Sequence, residues 1–161
     1  MIMPAKTTDE KMALVAYLAS KMGADPAELV GHMPYEIVAT LGRDSKPNGA
    51  VMYIDYRRTT IEMACAGERG WLTRSHLHDL FAYPFEQLRV WTVLTVVRRR
   101  NAKARAFNVK LGFTELGIVR NSPHKAEDSI LYTMSRPECR WLPAFDLNKL
   151  NGRAAHGAVA A

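Results

Sequence analysis

Val90-Trp91-Thr92-Val93-Leu94-Thr95-Val96-Val97 is a nearly continuous apolar run, the pattern of a strand buried on both faces. Before it, Leu77, Leu80, Phe81, Phe85 and Leu88 recur at helical spacing and share one face. Pro84 falls inside that helix and should kink or shorten its last turns. Further upstream, residues 59–66 alternate Thr60, Glu62 and Ala64 against Ile61, Met63 and Cys65, the period of a strand. Strand, helix and strand in this order make a crossover unit with parallel strands, almost always right-handed. The predicted class is α/β.

The rest of the chain extends that unit. Thr7-Thr8-Asp9-Glu10 is a capping-box pattern, and Met12, Val15, Leu18 and Met22 then follow at helical spacing up to Gly23. Asp25-Pro26-Ala27-Glu28 starts a second, short helix, with Pro26 suited to its first position and Gly31 at its end. Residues 35–41 and 50–56 are rich in β-branched and aromatic types and flank the turn formers of 42–49, which predicts an antiparallel pair. A helix at 102–111 stops at Gly112, and strands at 113–119 and 129–134 flank a polar stretch. Residues 1–147 read as one domain, and 148–161, which lack any pattern, as a disordered tail.

Composition narrows the function classes. At 161 residues, with 48% hydrophobic and 24% charged, the chain can bury a sizeable core and is neither fibrous nor wholly disordered. No apolar run reaches membrane-spanning length, and the first residues lack the apolar core of a secretory signal, so a cytoplasmic protein is expected. Cys65 and Cys139 are too few and too far apart for a zinc ribbon or disulfide framework, and His76 and His78 point to different sides of one helix. No metal site is expected. The net charge of +6 attracts polyanions, whether nucleic acid, acidic partners or a ligand with several phosphates.

Two places could hold such a ligand. In open α/β sheets ligands bind beyond the carboxyl ends of the strands, and a helix N-terminus favours phosphate. Here that place is Gly67-Glu68-Arg69-Gly70-Trp71-Leu72-Thr73-Arg74, with Thr73 as the predicted N-cap; it could equally be an ordinary strand-to-helix turn with solvated arginines. The second is Arg98-Arg99-Arg100-Asn101, where three guanidiniums could bind phosphates or simply end a strand before an asparagine cap.

Asn101-Ala102-Lys103-Ala104-Arg105-Ala106-Phe107-Asn108-Val109-Lys110-Leu111-Gly112-Phe113 resembles a segment of the GNAT acetyltransferases: Asn, a small residue three further on, an aromatic or leucine, then Gly-Phe. Residues 81–88 and 114–120 resemble the flanking segments in the ribosomal-protein and antibiotic-modifying branch of that superfamily. The resemblance implies a mixed sheet with helices on both faces and two central parallel strands that splay apart to admit acetyl-CoA. It implies that pantetheine pairs with the strand at 59–66 through Ala64, Cys65 and Ala66. The pyrophosphate would lie on Gly70, Trp71, Leu72, Thr73 and Arg74, with Asn101 touching the cofactor. Transfer to an amine needs a base, and Glu62 on the first splayed strand is the best-placed candidate, its alternative being a solvent-facing strand carboxylate.

Two departures stand out. The loop retains one glycine approach fewer than the family pattern and brings in the bulky Trp71. The family's tyrosine acid should fall at Asn108, and the serine of some relatives at Ala104; neither replacement can give up a proton. The expected activity is acetyl transfer to a primary amine, on a protein or a small molecule. The alternatives are a catalytically impaired CoA-binding module, and a nucleic-acid binder using the basic cluster at 98–105, although no named nucleic-acid motif accompanies that charge.

Overall fold

The computed structural model describes residues 2–122 and 127–146; the tail expected at 148–161 lies outside the described residues. The chain runs β1 (Ile2–Pro4), α1 (Thr8–Met22), α2 (Pro26–Val30), β2 (Tyr35–Leu41), β3 (Pro47–Ile54) and β4 (Thr60–Gly67). It continues with α3 (Arg74–Ala82), β5 (Thr92–Arg98), α4 (Ala102–Leu111), β6 (Thr114–Ser122) and β7 (Glu127–Ser135). The seven strands form one sheet in the order β1-β2-β3-β4-β5-β7-β6. Only β4 and β5 are parallel, as the crossover through α3 requires; the other neighbours pair antiparallel.

Helices cover the two faces unequally. On one face, α3 and α4 pack Leu77, Leu80, Phe81 and Leu111 over Val51, Tyr53, Ile61, Met63, Val93, Val97 and Tyr132. Tyr53 donates its hydroxyl to the Leu80 carbonyl at 2.7 Å, tying β3 to α3 from inside this core. On the other face α1 seats Leu14, Val15 and Leu18 on Ile37, Ala39, Ala50 and Met52. The Thr7–Glu10 capping box starts α1 as its sequence predicts.

The expectation that the run at 90–97 is buried on both faces is corrected here. Val93, Thr95 and Val97 are buried beneath α3 and α4, whereas Thr92 and Leu94 are half-buried and Val96 is 36% exposed. The α1 core reaches only as far as β4, so no described helix covers this face of β5. Pro84 behaves as its missing N–H predicts. The helix widens there into a π-helical turn, Tyr83–Gln87, and Leu88 N–H reaches back to Tyr83 O.

Candidate functional site: a fork between two parallel strands

The β4–β5 ladder is short. It pairs Thr60 with Thr92, Ile61 with Val93 and Glu62 with Leu94, and there it stops. Both strands continue, β4 to Gly67 beside β3 and β5 to Arg98 beside β7. From Met63 and Thr95 onward the two strands diverge, leaving facing backbone edges without each other as partners. A buried amide without a partner is costly, so such an edge is suited to a ligand that carries amides of its own. Glu62 sits at the closed end of this fork, and the loop at 67–73 and the start of α4 lie at its open end.

The loop is held by several independent contacts. Thr73 caps α3, its Oγ1 accepting from His76 N–H at 3.2 Å. Glu68 N–H donates to Asn48 O, and Trp71 N–H to Glu68 O. Gly70 has φ 79°, a left-handed conformation that side chains resist, which turns the chain toward the helix. Trp71 is only 7% exposed. Its indole lies against Gly49 and Gly67, which face each other across β3 and β4. A Cβ at Gly49 would come within 2.0 Å of the ring, and one at Gly67 within 2.5 Å. The bulk of Trp71 therefore points into the core, and only its backbone borders the fork. His76, itself buried, fixes the same residue from the far side, with Nδ1 2.9 Å from Trp71 O; a carbonyl can only accept, so Nδ1 carries the proton.

At the second strand end Asn101 is the N-cap of α4, its Oδ1 accepting from Ala104 N–H at 3.0 Å. Of the three adjacent guanidiniums, Arg99 pairs with Asp128 at 3.7 Å and Arg100 with Glu127 at 3.9 Å. Arg105 pairs with Glu115 at 3.7 Å and donates to the Tyr132 hydroxyl at 3.3 Å. The basic cluster is thus largely answered by acids of β6 and β7, which lowers its pull on a polyanion.

The fold recurs in solved structures. A spermidine N-acetyltransferase SpeG chimera from Vibrio cholerae and hSSAT superposes with TM-score 0.64 at 14% identity, over 84% of this chain and 96% of that one. A dodecameric spermidine N-acetyltransferase from Vibrio cholerae gives TM-score 0.64 at 13% identity, over 84% and 93%. ACIAD1637 of Acinetobacter baylyi ADP1, designated an acetyltransferase, gives 0.63 at 14% identity, over 86% and 93%. The fold is that of the GNAT acetyltransferases. No protein-family model and no curated protein matches the sequence.

Within this GNAT fold the expected cofactor residues fall into two groups. Ala64 and Ala66 turn toward α1, and Cys65 turns toward the α3 core, so all three offer backbone to the fork. Gly70, Trp71, Leu72, Thr73, Arg74 and Asn101 lie at its open end. Glu62, half-buried, projects on the face opposite α3 and α4, beside Leu94. Asn108 is 5% exposed and lies on the inward stripe of α4 with Ala104 and Leu111. It is not the surface residue that a polar side chain in mid-helix suggests. Tyr132 cannot easily replace a missing acid, because its hydroxyl donates to Glu115.

Two features escaped the sequence. One is the locking role of His76, whose signal was a histidine three residues after a threonine cap. The other is Thr95, a buried hydroxyl at the first position of β5 beyond the fork, marked only as the one polar residue between Leu94 and Val96. An apolar groove of about 700 Å³ between α1 and α2 takes none of its lining from β4, β5 or the loop. No group of metal-ligating side chains is present among the described residues, nor any helix long and apolar enough to cross a membrane.

Neither cysteine is a nucleophile in this setting. Burial pushes the Cys65 thiol up to about 12 and raises that of Cys139 as well. At pH 8, iodoacetamide should label Cys65 roughly a thousandfold more slowly in native protein than in unfolded protein, because the thiolate fraction falls by that factor. The sign for stability follows. The raised folded value favours the native state fully below the unfolded value of 9.0, and that contribution is lost as pH climbs toward 12. Rapid stoichiometric labelling of native protein at pH 8 would contradict this.

Proposed function

We propose that this chain is a cytoplasmic acetyl-CoA-dependent N-acetyltransferase, with residues 1–147 as its single domain. The observation that carries the reading is the fork, which opens one residue beyond Glu62 toward two capped helix starts. The pantetheine amides would pair with β4 beyond the fork, at Ala64, Cys65 and Ala66. The backbone of Gly70, Trp71, Leu72, Thr73 and Arg74 would receive the pyrophosphate at the start of α3, where N–H groups and the helix dipole favour anions. Asn101 would border the cofactor at α4. Acetyl-CoA supplies an activated thioester. The acceptor nitrogen bonds the acetyl carbon, the carbon–sulfur bond breaks, and Glu62 takes a proton from the amine, directly or through water. The resemblance of 81–88 and 114–120 favours the ribosomal-protein and antibiotic-modifying branch.

Acetyl-CoA and desulfo-CoA should both raise Tm. A ligand at a hundred times its Kd adds about 2.7 kcal/mol, worth roughly 5–10 °C for a chain of this size. No shift with either ligand at millimolar concentration would remove the reading. Glu62→Gln should lower kcat by about a hundredfold or more, as loss of a general base does, and leave acetyl-CoA binding intact. The second reading, a CoA-binding module with impaired catalysis, draws on Asn108 and Ala104 at the acid positions; it requires the same thermal shift without turnover.

A further inference from the structure

We infer that β6 is the contact between two copies of this chain, which pair antiparallel along it about a two-fold axis at Ile118 and join their sheets into one. This pairing is independent of what the fork binds. The sheet has two edges, β1 and β6. An edge strand presents a row of unpaired N–H and C=O groups, and proteins blunt such edges with short length, proline or charge. β1 is blunted in this way: it has three residues and ends in Pro4. β6 is not. It has nine residues with no proline or lysine, and Leu116, Ile118 and Val119 are 66%, 48% and 38% exposed. Branched aliphatic side chains along an open edge invite another strand.

What fits this edge is the edge itself. Ile118 stands opposite Ile130 and Glu115 opposite Tyr132, so both lie on the side of the sheet that α3 and α4 cover. Gly117 and Val119 stand opposite Leu131 and Ser129, on the other side. With Ile118 on the axis, Gly117 comes opposite Val119 of the second copy, so that paired residues share a face. The register shifts of β6 fall at Leu116 and after Val119, and they bracket this stretch without interrupting it. At the first of them Glu115 and Leu116 together take one opposing position, which Arg120 of the second copy fills. Alternation from Val119 puts Arg120 on the same side as Glu115. Glu115, engaged from within by Arg105 and the Tyr132 hydroxyl, keeps 47% of its side chain exposed. Arg120 is exposed as well. The two-fold axis therefore sets two opposite-charge pairs around a centre of paired isoleucines, an arrangement that stabilises neighbouring strands.

Sedimentation of the full chain should show a dimer whose share rises with concentration from about 1 to 200 µM. Ile118→Lys sets two ammonium groups face to face on the axis and should weaken the dimer about a hundredfold. The position is exposed, so the Tm of dilute protein should not fall. Arg120→Glu sets a carboxylate against Glu115 and should weaken the dimer about tenfold at low salt, with recovery as salt screens the repulsion. Ile118→Cys reports the register. Directly opposed residues have Cα atoms about 4.5–5.5 Å apart, within the span of a disulfide, so mild oxidation should convert this variant to a covalent dimer. Val119→Cys, displaced by two positions from its copy, should not cross-link. Nor should the natural protein, whose thiols burial keeps protonated. A monomer at every concentration, a dimer indifferent to Ile118→Lys, or cross-linking of Val119→Cys in preference to Ile118→Cys would overturn the inference.

Discussion

Gly49→Ala is expected to cost about 3 kcal/mol of stability, at the upper end of what overpacking usually costs, and to lower Tm by roughly 6–12 °C. The new Cβ would stand 2.0 Å from Cε3 of Trp71 and 2.7 Å from the Thr40 hydroxyl. The indole cannot swing away, because His76 holds the Trp71 carbonyl and the ring is enclosed by Gly67 on the neighbouring strand. Trp71→Ala alone should cost about 3–5 kcal/mol through the cavity it leaves. The two changes should not add. With the indole gone the methyl at position 49 has room, so Gly49→Ala in the Trp71→Ala background should be nearly neutral. Urea unfolding of the four proteins in this cycle measures the coupling. Additive losses would show that Trp71 is not seated on the glycine pair. The same packing sets the loop at 67–73, so both single variants should also raise the KM for acetyl-CoA.

That glycine pair illustrates what a linear pattern can and cannot convey. Strand 35–41 and helix 102–111 were legible to the residue, because period and end signals coincide: Asn101 caps α4, and Gly112 closes it in a left-handed conformation. β1 was not, since Ile2-Met3-Pro4 is too short to show a period and forms only by pairing with the edge of β2. β3 begins at Pro47, inside the predicted turn, because Gly42 N–H closes a tight loop on Lys46 O.

The candidate site was legible as an order of elements and not as a geometry. Whether β4 and β5 stay paired beyond Glu62 leaves no mark in side-chain alternation, because a forked strand and a paired one use the same period. The direction of Trp71 depended on Gly49 and Gly67 meeting across β3 and β4, a register fact separated by eighteen positions in the chain. The arginines at 98–100 could be read as a phosphate clamp because Asp128 and Glu127, the partners of Arg99 and Arg100, arrive on a later strand. In each case a long-range pairing settled what local chemistry left open.

Asn108→Ala should lower kcat about tenfold or more with the KM for acetyl-CoA unchanged, and Asn108→Tyr should raise kcat above that of the natural protein. Asn108 is 5% exposed and lies on the inward stripe of α4. An amide N–H can donate a hydrogen bond to a departing thiolate but cannot surrender its proton near neutral pH. Asn108 therefore offers electrostatic stabilisation, and the proton must come from water or from the acceptor ammonium. A removed donor of this kind typically lowers kcat by a hundred- to a thousandfold in a preorganised oxyanion site; a half-open fork warrants the smaller figure. A tyrosine at the same position adds general-acid transfer, worth about a hundredfold or more at best, in the transition state only, so ground-state binding should not change. The pH profile separates this from a packing effect: the phenol should extend activity until it ionises near pH 10, whereas Asn108→Leu, of similar size, should behave like Asn108→Ala. Equal activity in the natural protein, Asn108→Ala and Asn108→Leu would show that Asn108 only fills space on α4.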